Sequence, residues 1–300
     1  KYNNLAKAST KKVGGTRNYL DNNAVAKSIT APGGGDSSHG IIIADSNGDF
    51  RFDHNDALSV SFWIKPGWNT SLNTSVYLFS WHDVGTTSGY ADGVFMFYSE
   101  SNNRLYAYWS SNNSGANQYR RNFWHFHNNY STYATAYAAA GLGSSYWTAS
   151  NRGNVGDDDY TLITITRGTA NTSLYSNFKL YWNAADCGQG FYKTGSGGGS
   201  GTVSQGNSTD KIVSVGDAGW AFSVPGNNNE TKYNGLTIWD KELSSSEVTE
   251  LYNSGAPMHV GTHSAYANCV GWYNFEDDGV GEISGNETFA INGDSNIEAK

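Results

Sequence analysis

The sequence contains only two cysteines, Cys187 and Cys269, among 300 residues. Two cysteines cannot build the set of disulfides that stabilises small secreted domains, and neither has the Cys-x-x-Cys or Cys/His spacing of a zinc site. They suffice for one disulfide or for two free thiols. A cysteine-based metal centre is therefore excluded, and a single disulfide stays open.

Charged residues and long apolar runs are also scarce. Only 15% of the residues are charged, and no run approaches the roughly 18 apolar residues that span a membrane. The sequence instead has 36 glycines and 14% aromatic residues. This composition is typical of many short strands joined by turns, with aromatic side chains in the core. We expect an all-β protein without membrane insertion.

Charge is distributed unevenly along the chain. The formal net charge of −8 argues against nucleic-acid binding by the protein as a whole. Residues 1–40 are nevertheless basic, lack sustained periodicity and end near the breaker run APGGG. Their acidic residues are Asp21 and Asp36, and their basic residues are Lys1, Lys7, Lys11, Lys12, Arg17 and Lys27. We expect an extended arm, either solvated or docked on an acidic neighbouring subunit.

The segment 235–255, GLTIWDKELSSSEVTELYNSG, carries the strongest local signals. Its first residues alternate between apolar and other types, as in a half-buried strand. Ser244 and Glu247 then form a capping box, with Leu243 and Val248 placed for a hydrophobic staple. The segment predicts a strand followed by a short helix, which ends at Gly255.

Alternation predicts further strands on either side of this segment. In DALSVSFWIKP, the residues Leu58, Val60, Phe62 and Ile64 share one face, which we expect to be the core face. SVYLFSW, GVFMFYSE and RLYAYWS follow at the spacing of an antiparallel meander, and one further strand is expected at 122–127. IIIADSNGDFRF predicts two strands around an Asn-Gly turn. YTLITITRG, FKLYWN and KIVSVG predict strands, whereas 188–206 predicts a Gly/Ser-rich loop.

Three of these stretches resemble one family. GLTIWDKELSSSEVTELYNSG, DALSVSFWIKP and DDDYTLITITRG with FKLYWN are similar to the closing segment, an early core strand and the central strands of laminin-G-like, concanavalin A-like jelly-roll domains. The resemblance implies an all-β, antiparallel jelly-roll β-sandwich with one short C-terminal helix. It indicates a fold more than a function, because this sandwich occurs in lectins, glycosidases, adhesion modules and virion proteins.

The same reasoning divides the chain into three regions. Residues 1–40 are the N-terminal arm and Gly-rich linker, and residues 41–260 are the sandwich. Residues 261–300 are a C-terminal extension, expected to hold a further strand of the same domain or to begin a second unit.

Carboxylates that could act in catalysis are not suitably placed. Glycosidases of this fold use two carboxylates on one strand face, and retaining hydrolysis needs them about 5 Å apart. Here the acidic runs 157–159 and 276–278 are consecutive, so neighbouring members face opposite sides of a strand. No Ser/His/Asp set or phosphate loop stands out either. We predict a protein that is not an enzyme and that requires no cofactor.

Calcium is the one cofactor that stays open. Asp45, Asn47 and Asp49 alternate as oxygen donors, but Phe50 stands where an EF-hand loop requires glycine. Laminin-G relatives often bind calcium at one rim of the sandwich, and the resemblance leaves such a site open here.

The long segment 110–159 is the strongest candidate for binding. It is rich in Asn, Tyr and Ser, and long connections of this kind are usually functional or packing elements. Aromatic faces stack on sugar C–H groups and Asn side chains bridge hydroxyls, so one interpretation is glycan binding. The other is an aromatic subunit interface or a small core under the loop. The predicted glycan-binding residues are Trp124, His125, His127, Asn128, Tyr130 and Tyr133.

The favoured role is a non-enzymatic structural protein on the surface of a tailed-phage virion, as capsid decoration or fibre. The resemblance to phage-encoded members of the family implies it, and an arm joined to a weakly charged sandwich suits docking on a shell. Its partners would be other virion proteins or copies of itself, together with cell-surface glycans. The alternative is a secreted or cell-surface lectin-like adhesin, which is extracellular. A glycoside hydrolase is the disfavoured third interpretation.

Overall fold

The computed structural model describes residues 27–31, 40–45, 50, 52, 56–65, 75–83, 93–99, 104–111, 118–125, 160–169, 178–189, 191–194, 211–215, 231–274, 289–292 and 296–299. The strands are β1 (Lys27–Ala31), β2 (Gly40–Asp45), β3 (Leu58–Lys65), β4 (Ser75–Asp83), β5 (Gly93–Ser99), β6 (Arg104–Ser111), β7 (Gln118–His125), β8 (Thr161–Arg167), β9 (Phe178–Trp182), β10 (Ala185–Gln189), β11 (Phe191–Thr194), β12 (Lys211–Val215), β13 (Thr231–Trp239), β14 (Cys269–Tyr273), β15 (Phe289–Asn292) and β16 (Asn296–Ala299). One helix, α1 (Ser245–Tyr252), precedes 3-10 turns at Asn253–Gly255, Val260–Thr262 and Tyr266–Asn268. In this part of the chain, no helix is long and apolar enough to cross a membrane.

The strands form two antiparallel sheets. Sheet A has the order β10-β9-β8-β3-β13-β1-β16, and β14 also pairs with β13. Sheet B has the order β11-β7-β6-β5-β4-β12-β2-β15. Strands β4 to β7 are consecutive neighbours, so the predicted meander is present and includes the additional strand, at 118–125. The predicted all-β, antiparallel sandwich with one short helix is confirmed.

The main core combines buried apolar side chains from both sheets. Leu58, Val60, Phe62 and Ile64 of β3 all belong to it, as their alternation predicted. Sheet B contributes residues such as Trp81 to the same cluster. The inner faces of sheets A and B therefore pack against each other and enclose the main core between them.

A second apolar cluster lies on the other face of sheet A. Trp63 and Trp239 pack there with residues of α1 and of the turns that follow it. Ser59 is also fully buried on this side, where its hydroxyl donates to Lys241 O at 2.6 Å and accepts from the Leu243 N–H at 2.9 Å. The face expected to point outward is thus covered, because the chain folds back over it after β13.

Helix α1 begins as its sequence predicts. The Ser244 hydroxyl accepts from the Glu247 N–H at 3.3 Å, and the Glu247 carboxylate accepts from the Ser244 N–H at 2.8 Å. Leu243 and Val248 are both buried in the second cluster. The helix ends earlier than predicted, because Asn253 already adopts the left-handed conformation with φ 45°.

Ser244→Ala is expected to lower the free energy of unfolding by about 1 kcal/mol, the usual loss at an N-cap. The substitution removes the acceptor for the Glu247 N–H and leaves the buried staple in place. Urea unfolding monitored by tryptophan fluorescence would measure the difference. Ser244→Asp is the matched control, because its carboxylate can cap the same N–H and should preserve the midpoint. Equal midpoints for Ser244→Ala and the parent protein would contradict the capping role.

The extended-arm prediction is wrong for residues 27–31. They form β1, which lies between β13 and β16 inside sheet A. Ile29 stands opposite Tyr233 on one side and Ile297 on the other. The strand reads KSITA and has only one large apolar residue, Ile29, so it shows no alternation that would reveal it. Residues 1–26 lie outside the described residues, so the rest of the arm stays a prediction.

The C-terminal region, one predicted pair of strands and one predicted loop also differ from expectation. Strand β14 joins sheet A, β15 joins sheet B and β16 joins sheet A, so the extension contributes three strands to the sandwich. Phe50 and Phe52 are buried core residues outside any strand, and β2 pairs instead with β12 and β15. The predicted loop at 188–206 contains the end of β10 and all of β11.

Both cysteines are buried free thiols. Burial raises the pKa of Cys187 and of Cys269 to about 12, so both stay protonated at neutral pH. The disulfide that the sequence left open is not formed. These side chains act as small apolar core residues.

Candidate functional site

Trp124, the first of the predicted glycan-binding residues, is a core residue. Its side chain is fully buried in the main core. Its indole N–H donates to the carbonyl of Gly188 at 3.1 Å, which links β7 of sheet B to β10 of sheet A. A ring without exposed surface cannot stack on a sugar, so the prediction that Trp124 binds glycan is wrong.

The remaining predicted glycan-binding residues follow Trp124 in the chain. His125 is the last residue of β7 and stands opposite Arg104 of β6. The others lie outside the described residues, and their role stays a prediction: His127, Asn128, Tyr130 and Tyr133.

The predicted calcium ligands are only partly within the described residues. Asp45 ends β2 and stands opposite Lys211 of β12. Asn47 and Asp49 lie outside the described ranges. Within those ranges, no three His, Cys, Asp or Glu residues cluster as a metal site would require.

The strand register brings together a set of aromatic residues that the sequence did not connect. Five adjacent strands of sheet B, in the order β4-β5-β6-β7-β11, each place one aromatic residue at directly opposed positions. We call this set the aromatic row, and it consists of Tyr77, Phe97, Tyr106, Phe123 and Phe191.

The aromatic row occupies the face of sheet B opposite the main core. Leu105 and Ala107, which flank Tyr106 in β6, both belong to that core. Trp124, next to Phe123 in β7, belongs to it as well. Successive residues of a strand alternate between the two faces, so the row lies on the outer face.

The centre of the row is packed. Tyr106 is only 5% exposed, although it lies on the outer face. Ser80 of β4 lies two strands from Tyr106, on the same face by strand alternation, and is fully buried. The row is therefore packed at its centre, where directly opposed aromatic residues stabilise the sheet by cross-strand pairing.

Sequence reasoning missed this surface for a specific reason. The strands GVFMFYS and RLYAYWSS each contain five consecutive apolar or aromatic residues, so both of their faces resemble a core face. That double-sided pattern was the available signal. The register between neighbouring strands decides which residues stand opposite each other across the five strands. The sequence of one strand does not specify that register.

Most carboxylates with described contacts have structural roles. Glu242 pairs with Lys179 at 2.7 Å. Hydrogen bonds from the Ser264 hydroxyl and N–H lower the pKa of Glu250. Burial alone would raise the pKa of Glu247, but its bonds with Lys241 and Ser244 outweigh burial and lower it. These three side chains hold α1 and its neighbours in place, and the lowered pKa values of Glu247 and Glu250 are the opposite of what a general acid needs.

Comparison with known proteins assigns no family. No protein-family model matches the sequence. No curated protein matches it either.

Some solved structures align weakly with this chain. The botulinum neurotoxin serotype D binding domain has 16% identity and a TM-score of 0.41, covering 75% of this chain and 41% of its own. The botulinum neurotoxin serotype G binding domain has 16% identity and a TM-score of 0.38, and the alignment covers 67% of this chain and 36% of that domain. A third structure comes from work on the cell entry of botulinum neurotoxin type C, which depends on interaction with two ganglioside molecules. It has 14% identity and a TM-score of 0.39, and the alignment covers 77% of this chain and 47% of that one. The chain spans less than half the length of each, and similarity at this level assigns none of their functions to it.

Proposed function

We propose that this protein is a non-enzymatic carbohydrate-binding domain and that the positions of the aromatic row on either side of the packed Tyr106 contribute to its binding surface. The observation that supports the proposal is the continuity of the row across five neighbouring strands. Aromatic rings offer flat apolar faces to the C–H faces of sugars, and their polar edges or neighbours can bond hydroxyl groups. Because neighbouring strands of a sheet are evenly spaced, the residues of the aromatic row are held at regular distances from one another.

The dimensions of the row suit an extended oligosaccharide. Adjacent strands lie about 4.8 Å apart, so the outermost of the five positions are about 19 Å apart. A saccharide running across the strands could contact positions of the row on either side of Tyr106, whose own ring is packed. Weak binding at each copy becomes useful when many copies act together, because linked sites raise avidity without new contacts.

Phe123→Ala tests this proposal. We expect multivalent particles carrying the protein to lose binding to a glycan array, because the substitution removes one ring from the row. Tyr119→Ala is the matched control, since Tyr119 lies on the same strand and alternates to the same face but stands opposite Ser110, outside the row. Thermal unfolding of both variants would establish that they remain folded.

Three results would contradict the proposal. One is that the parent protein binds no glycan on the array. Another is that Phe123→Ala, while folded, binds as well as Tyr119→Ala. The third is reducing-sugar release from a bound glycan that a carboxylate substitution abolishes, which would make the protein a glycoside hydrolase.

A finer assignment places this domain on the surface of a tailed-phage virion, where it would contact other virion proteins or its own copies. Its support is the resemblance of the chain to phage-encoded members of the laminin-G-like family. The alternative is an extracellular lectin-like adhesin. Co-purification with intact particles would support the virion assignment, and recovery only as a soluble or cell-attached species would support the adhesin.

A further inference from the structure

Charge is segregated around the aromatic row. Of the five strands of the row, β5, β6, β7 and β11 contain no Asp or Glu, and the one acidic residue of β4, Asp83, stands opposite Lys211. The same strands carry four basic residues, Arg104, Arg120, Arg121 and Lys193. Within these described strands the basic residues outnumber the acidic ones, although the net charge of the whole chain is −8.

Two of these basic residues oppose each other directly. Arg121 of β7 stands across from Lys193 of β11. Like charges at directly opposite positions destabilise a sheet. An anion bound between them would remove that cost. On its other side, Arg121 stands opposite Tyr108 of β6. Tyr108, Arg121 and Lys193 therefore occupy directly opposed positions on three neighbouring strands.

The basic residues flank the aromatic row on both sides. Arg121 and Lys193 lie two positions from Phe123 and Phe191 along their strands, about 7 Å away. On the other side, Arg104 and His125 oppose each other two positions from Tyr106 and Phe123. By strand alternation, all of them occupy the same outer face as the row.

We propose that the saccharide bound by the aromatic row carries carboxylate groups and that the Arg121–Lys193 pair recognises them. The inference rests on the proposed function and specifies its ligand class. The planar guanidinium of an arginine matches a carboxylate with two parallel hydrogen bonds, and a neighbouring ammonium adds a point charge. Because the whole protein is acidic, the attraction is local and depends on this pair.

Binding to polygalacturonate tests the inference, with dextran as the neutral polymer and dextran sulfate as the sulfated one. We expect the protein to bind polygalacturonate in preference to both other polymers, and we expect this binding to weaken as the salt concentration increases. Arg121→Gln and Lys193→Gln should each reduce its binding about tenfold or more, the loss expected for a charge-assisted hydrogen bond. Any binding to dextran should stay unchanged in both variants.

Lys65→Gln is the matched control. Lys65 stands opposite Lys232 in sheet A, which makes a second like-charge pair, but that pair is not next to the aromatic row. This variant should bind polygalacturonate as the parent protein does. Circular dichroism would show that all three variants keep their strands.

The outcomes separate the two proposals. Loss of binding in Phe123→Ala together with unchanged polygalacturonate binding in Arg121→Gln and Lys193→Gln would overturn the acidic ligand and leave carbohydrate binding in place. Preference for dextran or for dextran sulfate would also overturn it, as would displacement of polygalacturonate by single-stranded oligo(dT). Absence of binding to all three polymers would overturn the acidic ligand, whereas absence of binding on the glycan array would contradict carbohydrate binding itself.

Discussion

Trp124→Ala is expected to lower the free energy of unfolding by about 3–5 kcal/mol, the usual range for removing a large aromatic core residue. The indole ring is fully buried in the main core, and its N–H holds the carbonyl of Gly188 in the other sheet. Removing it creates a cavity where β7 and β10 meet and leaves that carbonyl without this donor. Chemical unfolding at equilibrium would measure the loss.

Trp124→Phe separates the two contributions. Phenylalanine fills most of the volume but cannot donate to Gly188, so we expect a smaller loss, of about 1–2 kcal/mol. An unfolding midpoint of Trp124→Ala equal to that of the parent protein would show that the ring is not in the core. Retained stability with lost glycan binding would restore the original interpretation of Trp124 as a binding residue.

His263→Leu is expected to destabilise the protein by about 2–4 kcal/mol, because it removes two hydrogen bonds inside the second cluster. His263 is 4% exposed and lies against Trp239, with 4.8 Å between the ring centroids. Its Nδ1 accepts from the Ala265 N–H at 3.0 Å, so Nε2 carries the proton and donates to Glu247 O at 2.9 Å. Leucine keeps the bulk and leaves both backbone groups without this partner.

His263→Asn is the matched control for this prediction. An asparagine oxygen can accept from the Ala265 N–H as Nδ1 does, but the shorter side chain does not extend to Glu247 O. We therefore expect a stability between those of the parent protein and His263→Leu in the same unfolding assay. If His263→Leu unfolded at the parent midpoint, the ring would not connect α1 to the turns after it.

The local signals of the 235–255 segment were sufficient to predict its structure. Ser244 caps α1 and Glu247 completes the box, because both bonds join residues three positions apart. Leu58 and its alternating partners were assigned to the core for the same reason, since alternation is a property of one strand. Where the cause of a structure lies within a few residues, the sequence contains it.

Trp124 shows where that reasoning stops. The segment around it is mixed aromatic and polar, and nothing local distinguishes the core side of β7 from the outer side. The distinction depends on β6 and β11 pairing on either side and on β10 lying across the core. A one-residue change of register would exchange Trp124 and Phe123 between the two faces.

The sequence by itself therefore determined the all-β class, the core face of β3 and the capped helix α1, because composition, short-range periodicity and capping specify them, whereas the sandwich was implied by the resemblance to a known family. Only the tertiary structure decided that residues 27–31 join sheet A, that Trp124 is buried and that five aromatic residues align across sheet B. Those features come from pairing between strands far apart in the chain. Long-range register follows from the packing of all strands together, and no single segment encodes it.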